Sequence, residues 1–427
     1  MDMEEQSAPV RRVAYLVSQY PAFSHAFIST EIDAMTRAGW EVHTFSVVEP
    51  SFDDPPGTRK TFVLQRHILR SLFRSAKYVA RHPVATAHGL RAVKFPRLHL
   101  SRSDLSAYLK QLAYFYEAVV LSCELDRRQI PHLHVHFANN GAEIARLATS
   151  MRRVVSKQHA SWSMTVHGPS DFEHAKTSGL RHKARAVDAL FCISEFARLQ
   201  LSRQVAPVDS ARAVICRMGV TNEAFTAPIS ASPKPPDDVF RVLFVGRLVS
   251  KKDPAGLTRA VIDLAALPEY RGRRIDLSIV GEGPERSSIE THLTELPDNL
   301  SVNLFGAATH ADVLAHYRNS DVFCLPSYSE GLPVVLMEAL AAELAVISTP
   351  VAAIPELVIN GESGLLVEPG DKQALIRALS ELWDSPEARR AYGKRGRRIV
   401  ERAFLSSTAA DVLTASFDAV SRSGSLR

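Results

Sequence analysis

The chain has 427 residues, 46% of them hydrophobic and 23% charged, which is long enough for two or three domains with buried cores and too apolar for general disorder. Four cysteines, Cys123, Cys192, Cys216 and Cys324, lie far apart, which excludes a zinc-knuckle spacing and a disulfide framework and leads us to expect a reducing cytoplasm. The net charge is +5, the amino end Met1-Asp2-Met3-Glu4-Glu5-Gln6 is acidic, and no apolar run approaches the roughly 18 residues of a membrane span, so neither a signal peptide nor a transmembrane helix is expected.

In chain order, residues 13–17 form a short apolar run. A loop passes through Pro21, a helix is predicted over 24–38 with Gly39 as its stop, and 41–48 reads as a second strand. This β-α-β opening is the unit of a parallel sheet. The charge is then unevenly placed, because residues 57–103 carry eleven Lys or Arg and no acid. Within them Arg66, Arg70, Arg74, Lys77 and Arg81 recur at helical spacing, while Ile68, Leu69, Leu72, Phe73, Ala76, Val79 and Ala80 occupy other positions. Such a basic amphipathic helix can lie on an anionic membrane surface at about 1 kcal/mol per nearby basic residue. A core-packed helix with a solvated basic face is the other reading. Nucleic acid is not expected as a partner, since no aromatic-studded basic strand or reader motif accompanies the charge.

Further strands are predicted at 132–137, 162–166, 189–193 and 214–215, giving one doubly wound domain over 1–225. His132, His134 and His136 alternate on the first of these strands and so share one face. His-x-His can ligate zinc, but no further ligand set or general base is evident, and no metal is assigned. One or two of the three are expected to be packed and one to reach a cleft. Thr165-Val166-His167-Gly168-Pro169-Ser170-Asp171-Phe172 places His167 at a strand end before a polar loop, in position for ligand contact; a lone histidine there can equally be structural.

Residues 226–239, rich in proline, read as a linker. The pattern then restarts: strands at 240–245, 275–280, 302–305, 322–325, 345–348 and 364–367 alternate with helical stretches, giving a second parallel α/β domain over 240–402. A helix and tail over 403–427 follow, for which a return to the first domain is one path. Two such domains joined by a hinge form a cleft at the carboxyl ends of their strands, where ligands bind.

Three motifs of the second domain carry chemistry. Phe244-Val245-Gly246-Arg247-Leu248-Val249-Ser250-Lys251-Lys252 follows a strand: Gly246 lets the chain turn closely, while Arg247, by a two-pronged hydrogen bond, and Lys252, as a point charge, can neutralise a diphosphate. Val280-Gly281-Glu282-Gly283-Pro284-Glu285-Arg286 imitates a dinucleotide fingerprint but lacks its third glycine. A hydride-transfer enzyme is therefore disfavoured and a tight turn expected. The third is Pro326-Ser327-Tyr328-Ser329-Glu330-Gly331-Leu332-Pro333-Val334-Val335-Leu336-Met337-Glu338. Pro333 suits the first position of a helix, whose free amides attract an anion, and Glu338 one turn inside leans back toward that end. Eight residues of continuous helix separate Cα atoms by about 12 Å, beyond the roughly 5 to 9.5 Å between the carboxyl groups of glycosidases, so a hydrolytic pair is disfavoured. Two carboxylates gripping hydroxyls of a phosphate-containing ligand fit better than two solvated glutamates on a capped surface helix, given the cations upstream.

Together these residues resemble the retaining glycosyltransferases of family 4. The match is densest over 242–371, where Gly-Arg-(x)4-Lys, Gly-x-Gly-Pro, Gly306, Ser-x-Ser-Glu-Gly-Leu-Pro, the second Glu, Ile354-Pro355-Glu356 and Asn360-Gly361-Glu362-Ser363-Gly364-Leu365-Leu366 occur in the family's order. The amino half is similar more loosely, through Ser18-Gln19-Tyr20-Pro21-Ala22-Phe23-Ser24-His25-Ala26-Phe27-Ile28, to exopolysaccharide and colanic-acid-type transferases. The resemblance implies a GT-B fold, two facing Rossmann-like doubly wound domains with an interdomain cleft. It implies that Gly246, Arg247 and Lys252 bind the donor diphosphate, that Glu338 holds ribose hydroxyls, that Glu330 with the backbone of Gly331, Leu332, Pro333 and Val334 holds the transferred sugar, and that His167 contacts that sugar. It implies a nucleoside-diphosphate-sugar co-substrate, no required metal, and a saccharide or lipid-linked acceptor in polysaccharide or glycolipid synthesis; the basic helix adds the expectation of a peripheral place on the inner face of the cell membrane. Four departures bear on loop geometry and acceptor fit. Asp253 and Glu343 stand where relatives usually carry glycine, Ala345 stands in place of a proline, and the first βα loop has no glycine. A nucleotide-sugar epimerase of the same fold and a non-catalytic glycan- or nucleotide-binding protein are the rival readings.

Overall fold

The computed structural model describes residues 10–22, 25–54, 60–94, 102–155, 160–226 and 239–423. The linker expected at 226–239 lies outside the described residues except for its two ends, as do the acidic amino end, Phe23, Ser24 and residues 424–427. Chain contacts divide the molecule into two compact units. Unit 1 comprises Met1–Ile193, Ala197–Cys216 and Ala409–Arg427, and unit 2 comprises Ser194–Phe196 and Arg217–Thr408. Among the described residues no helix is long and apolar enough to cross a membrane.

Unit 1 is built on a seven-stranded sheet with the order β3-β2-β1-β4-β5-β6-β7. Its strands are β1 (Arg12–Gln19), β2 (Glu41–Val48), β3 (Phe62–Val63), β4 (His132–His136), β5 (Ser161–Val166), β6 (Ala189–Cys192) and β7 (Val214–Ile215). Every pairing is parallel, from Val13 beside Val42 to Cys192 beside Ile215. β4, β5 and β6 are buried along their whole length, as a parallel sheet covered by helices on both faces requires. β3 has no counterpart among the strands expected from the sequence; it is a two-residue edge strand, too short to show a period. The core gathers Tyr15, Val17, Ile28, Met35, Trp40 and Phe191 around Leu413, Phe417 and Val420 of the helix Ser406–Ser423. Trp40 donates its indole N–H to Thr414 at 2.9 Å and meets Phe417 edge-on.

Unit 2 is built on a six-stranded parallel sheet, order β10-β9-β8-β11-β12-β13. The strands are β8 (Val239–Val245), β9 (Arg274–Val280), β10 (Leu300–Gly306), β11 (Val322–Leu325), β12 (Ala345–Ser348) and β13 (Gly364–Leu366). Phe244, Ile279, Phe323, Leu336, Met337 and Ile347 fill its core, and Trp383 stacks between Phe240 and Tyr270. β8 lies between β9 and β11, so the chain leaves β8 in one direction to form β9 and β10 and returns to its other side for β11. That reversal puts the loops after β8 and β11 side by side at the carboxyl edge, the place where open α/β sheets bind ligands.

Candidate active site

The loop after β8 is held by its neighbour after β9. Gly246 donates its N–H to Val280 O at 3.0 Å, Leu248 donates to Glu282 O at 2.8 Å, and Glu285 donates to Leu248 O at 3.0 Å. The Gly281-Glu282-Gly283 turn is thus a backing for the Gly246–Lys252 loop. A Cβ on Gly281 would stand 1.9 Å from Gly246 O and one on Gly283 2.3 Å from Leu248 O, so both glycines are required by close backbone approach.

Behind this loop a single turn, Ser250–Lys252, precedes the helix Pro254–Ala266. Asp253 joins them in the left-handed region with φ 49° and accepts Gly256 N–H at 3.0 Å, capping the helix. Asp and Asn tolerate that conformation better than other residues, which is how the position accommodates a side chain where the family resemblance leads one to expect glycine. The turn aims Lys252 at the loop after β11. Lys252 Nζ lies 2.7 Å from Glu330 Oε1, with the two side chains only 13% and 11% exposed, and Ser327 donates its hydroxyl to the same oxygen at 2.9 Å. Arg247, on the same loop, is exposed and has no ion pair among the described residues.

The helix expected at Pro333 begins one residue later. Val334–Ala341 is helical, while Pro333, with φ −77° and ψ 117°, is the flanking cap residue. Extended ψ is what a residue at that boundary adopts, and it means that residues 330–333 are loop. Glu330 and Glu338 are therefore not on one continuous helix, and the 12 Å spacing drawn from the sequence does not apply. Gly331 O accepts the N–H of Ala353 at 3.3 Å, and Leu332 and Pro333 are buried, which anchors the loop that carries Glu330.

Glu338 lies one turn inside that helix. Its Oε2 accepts the hydroxyl of the fully buried Tyr317 at 3.1 Å, and its Oε1 lies 3.7 Å from His310 Nδ1. Burial raises its pKa above the ordinary carboxylate range, opposed by His310 and by the Tyr317 hydrogen bond. Tyr317 and His310 were not singled out from the sequence; each stands on or beside the helix before β11, and nothing in its local spacing links it to Glu338. Glu356, from another of the resembling motifs, is a structural carboxylate: it accepts the backbone N–H groups of Glu195 and Phe196 and pairs with Arg217 at 3.1 Å.

His167 belongs to unit 1 and is 7% exposed. Its backbone N–H donates to Asp171 Oδ2 at 2.7 Å, and the other carboxylate oxygen of Asp171 accepts Ala138 N–H at 2.8 Å, tying the loops after β4 and β5 together. Its ring packs between Phe27 and Phe137, with centroids 5.0 and 4.4 Å away. Burial, with His136 and His25 adding repulsion, holds its pKa well below the usual histidine range. The expectation that one of His132, His134 and His136 would reach a cleft is corrected by the structure, which buries all three. His132 bonds Ser161 and Ser163 at 2.8 Å, His134 bonds Ser163 at 2.7 Å, and His136 Nδ1 lies 2.9 Å from His167 Nε2. Glu31, on the buried face of the helix Ala26–Arg37, joins this row. It was missed because a single glutamate in an apolar stripe reads as an interruption.

Among known proteins, residues 226–399 match the model of the family described as "Glycosyl transferases group 1". The chain is 32% identical over 396 residues to the putative colanic acid biosynthesis glycosyltransferase WcaL of Salmonella typhimurium, a match covering 87% of this chain and 88% of that protein. It is also 32% identical over 171 residues to the capsular polysaccharide biosynthesis glycosyltransferase CapM of Staphylococcus aureus, where the match spans less than half of each chain, 40% and 43%. In fold it is similar to a sucrose-phosphate synthase of Thermosynechococcus elongatus, with a TM-score of 0.69 at 20% identity over 96% of this chain and 99% of that one.

Proposed function

This chain belongs to the group 1 glycosyl transferases, and from that premise we propose that it moves a sugar from a nucleoside diphosphate to a saccharide or lipid-linked acceptor in polysaccharide assembly, with retention of configuration. The observation that carries the reading is the pair of Lys252 and Glu330, 2.7 Å apart and largely buried, where the loops after β8 and β11 adjoin. A lone buried ion pair is a poor stabiliser, because desolvation offsets most of the attraction. A pair that exchanges partners on binding has a use for both charges: the donor phosphate takes the lysine and sugar hydroxyls take the glutamate.

In this reading Arg247 and Lys252 stabilise the diphosphate as it leaves, with Gly246 allowing close approach. One well-placed donor of this kind is worth about 3 to 4 kcal/mol of barrier, so two cations suffice without a metal. Glu338, held by Tyr317, grips ribose hydroxyls, and Glu330 with the Gly331-Leu332-Pro333-Val334 backbone holds the transferred sugar. Cytoplasmic residence at an anionic membrane surface completes the proposal. It is supported by the exposed apolar residues Leu72, Phe73 and Val79, which share the helix Ile68–Arg81 with exposed Arg74, Lys77 and Arg81.

Lys252→Ala and Glu338→Ala are each expected to lower transfer at least about tenfold, equivalent to about 1.4 kcal/mol of barrier, with unchanged circular dichroism. The assay is nucleoside diphosphate release with an oligosaccharide and lipid-linked acceptor panel, after a thermal-shift screen has identified the donor. Near-normal turnover in both variants overturns the site assignment, and donor conversion that needs no acceptor favours an epimerase.

A further inference from the structure

Two buried hydroxyls stand in series behind Glu330. Thr349, just past the end of β12, donates to Ser327 O at 2.6 Å, and Ser327, just past the end of β11, donates to Glu330 Oε1 at 2.9 Å. Both residues are 0% exposed, so neither hydroxyl has solvent to turn to. β11 and β12 are paired from Val322 beside Ala345 to Leu325 beside Ser348, and Ser348 donates its hydroxyl to Leu325 O at 2.8 Å. The chain from Leu325 to Ser327 is therefore held from β12 by side chains at the point where the strand ladder has ended. Past Glu330 the loop is held again, where Gly331 O accepts Ala353 N–H at 3.3 Å.

Both bonds to Glu330 fall on one oxygen. Lys252 Nζ at 2.7 Å and Ser327 Oγ at 2.9 Å share Oε1, and among the described residues no hydrogen bond or ion pair engages Oε2. One oxygen is thus committed to the protein and the other is left for a ligand. The functional reading above removes one of the two donors, since the diphosphate takes Lys252. A carboxylate so little exposed is costly to leave without a donor, and one released at both oxygens is also free to turn.

We propose that Ser327 is a positioning residue for sugar transfer, keeping Glu330 Oε1 in place when Lys252 turns to the phosphate, so that Oε2 stays available to a hydroxyl of the transferred sugar. This role rests on the functional reading above. Ser327 is fully buried and reaches no ligand itself, so its effect passes through Glu330 alone. Thr349 acts one step further back, by holding the backbone from which the Ser327 hydroxyl projects.

A double-mutant cycle on the full chain tests the role. The quantity measured is kcat/KM for nucleoside diphosphate release, with the nucleotide sugar that a thermal-shift screen selects from UDP-, GDP- and dTDP-hexoses. Ser327→Ala is expected to lower it about five- to tenfold, the size of one hydrogen bond to a charged group, and to have no further effect in a Glu330→Ala background. A merely structural loss would persist there. Thr349→Val is expected to lower turnover about threefold, and Thr349→Ser, which keeps the hydroxyl, to restore it to within about twofold of wild type. Glu330→Ala as active as wild type overturns the functional reading, and the role of Ser327 with it. An impaired Glu330→Ala beside an unimpaired Ser327→Ala, or a Ser327→Ala loss that persists without Glu330, overturns the positioning role alone. If Ser327→Ala fails to fold or Glu330→Ala has no measurable turnover, the two Thr349 variants decide, and equal activities in them overturn the role.

Discussion

Glu343 has φ +60° and Asp253 φ +49°, at the two positions where the family resemblance leads one to expect glycine. Asp253 offsets its conformation by capping a helix. Glu343 has no comparable compensation, because among the described residues its side chain is ion-paired only with Arg397 at 3.5 Å, both being partly exposed, and such pairs contribute little. The left-handed region costs an ordinary residue about 1 to 2 kcal/mol, of which glycine's greater freedom in the unfolded chain takes back part. Glu343→Gly is therefore expected to stabilise the protein by about 0.5 to 1 kcal/mol while Glu343→Ala changes little, measured as the shift in urea midpoint. A glycine variant no more stable than the alanine variant would show that the backbone there is unstrained. These residues also mark how far the sequence could be read. Arg247, Lys252, Glu330 and Glu338 were legible because the loops after parallel strands announce themselves by glycine, proline and charge at short spacing. Tyr317, His310 and Glu31 were not, since each acts on a residue 21 or more positions away through packing that no local period records.

The helix Ile68–Arg81 was expected from the sequence with two candidate roles, packed or membrane-bound, and a vesicle-binding measurement separates them. The residues that face inward are Ser71, Ser75 and Tyr78, whereas Leu72, Phe73 and Val79 are 51%, 81% and 37% exposed; the side chains at 67–70 lie outside the described residues. Periodicity alone could not reveal this, because it identifies an apolar stripe without saying which medium covers it. Arg66 pairs with Glu49 and Arg74 lies 3.6 Å from Glu124, so Lys77, Arg81 and Phe73 are the better probes of a lipid contact. Combining Lys77→Glu with Arg81→Glu should weaken binding to phosphatidylserine vesicles by about 2 kcal/mol or more at low salt, and Phe73→Ser should weaken it further. Co-sedimentation unchanged in all three substitutions would assign this face to some other contact.

At the scale of the molecule, both sheets and all but the short β3 strand were legible as apolar runs between helical stretches, while the ownership of the last helix was left as a choice. Residues 409–420 supply Leu413, Phe417 and Val420 to the core of unit 1, more than 180 residues after that unit's last strand. Phe417, fully buried against Trp40 and His132, is expected to lose about 3 to 5 kcal/mol on replacement by Ala. Hydrogen exchange should accelerate in β1, β4 and β6 and stay unchanged in β8, β9 and β11. Uniform acceleration in both units would show that they unfold as one.

The same helix sets an order of events during synthesis. Unit 2 is encoded as an interruption of unit 1, so a ribosome that has released residue 408 has delivered every residue of the second sheet but not those that close the first. Unit 2 can therefore finish folding while unit 1 still exposes the apolar surface around Tyr15, Trp40 and Phe191, and for that interval the nascent chain is a client for chaperones at its older end.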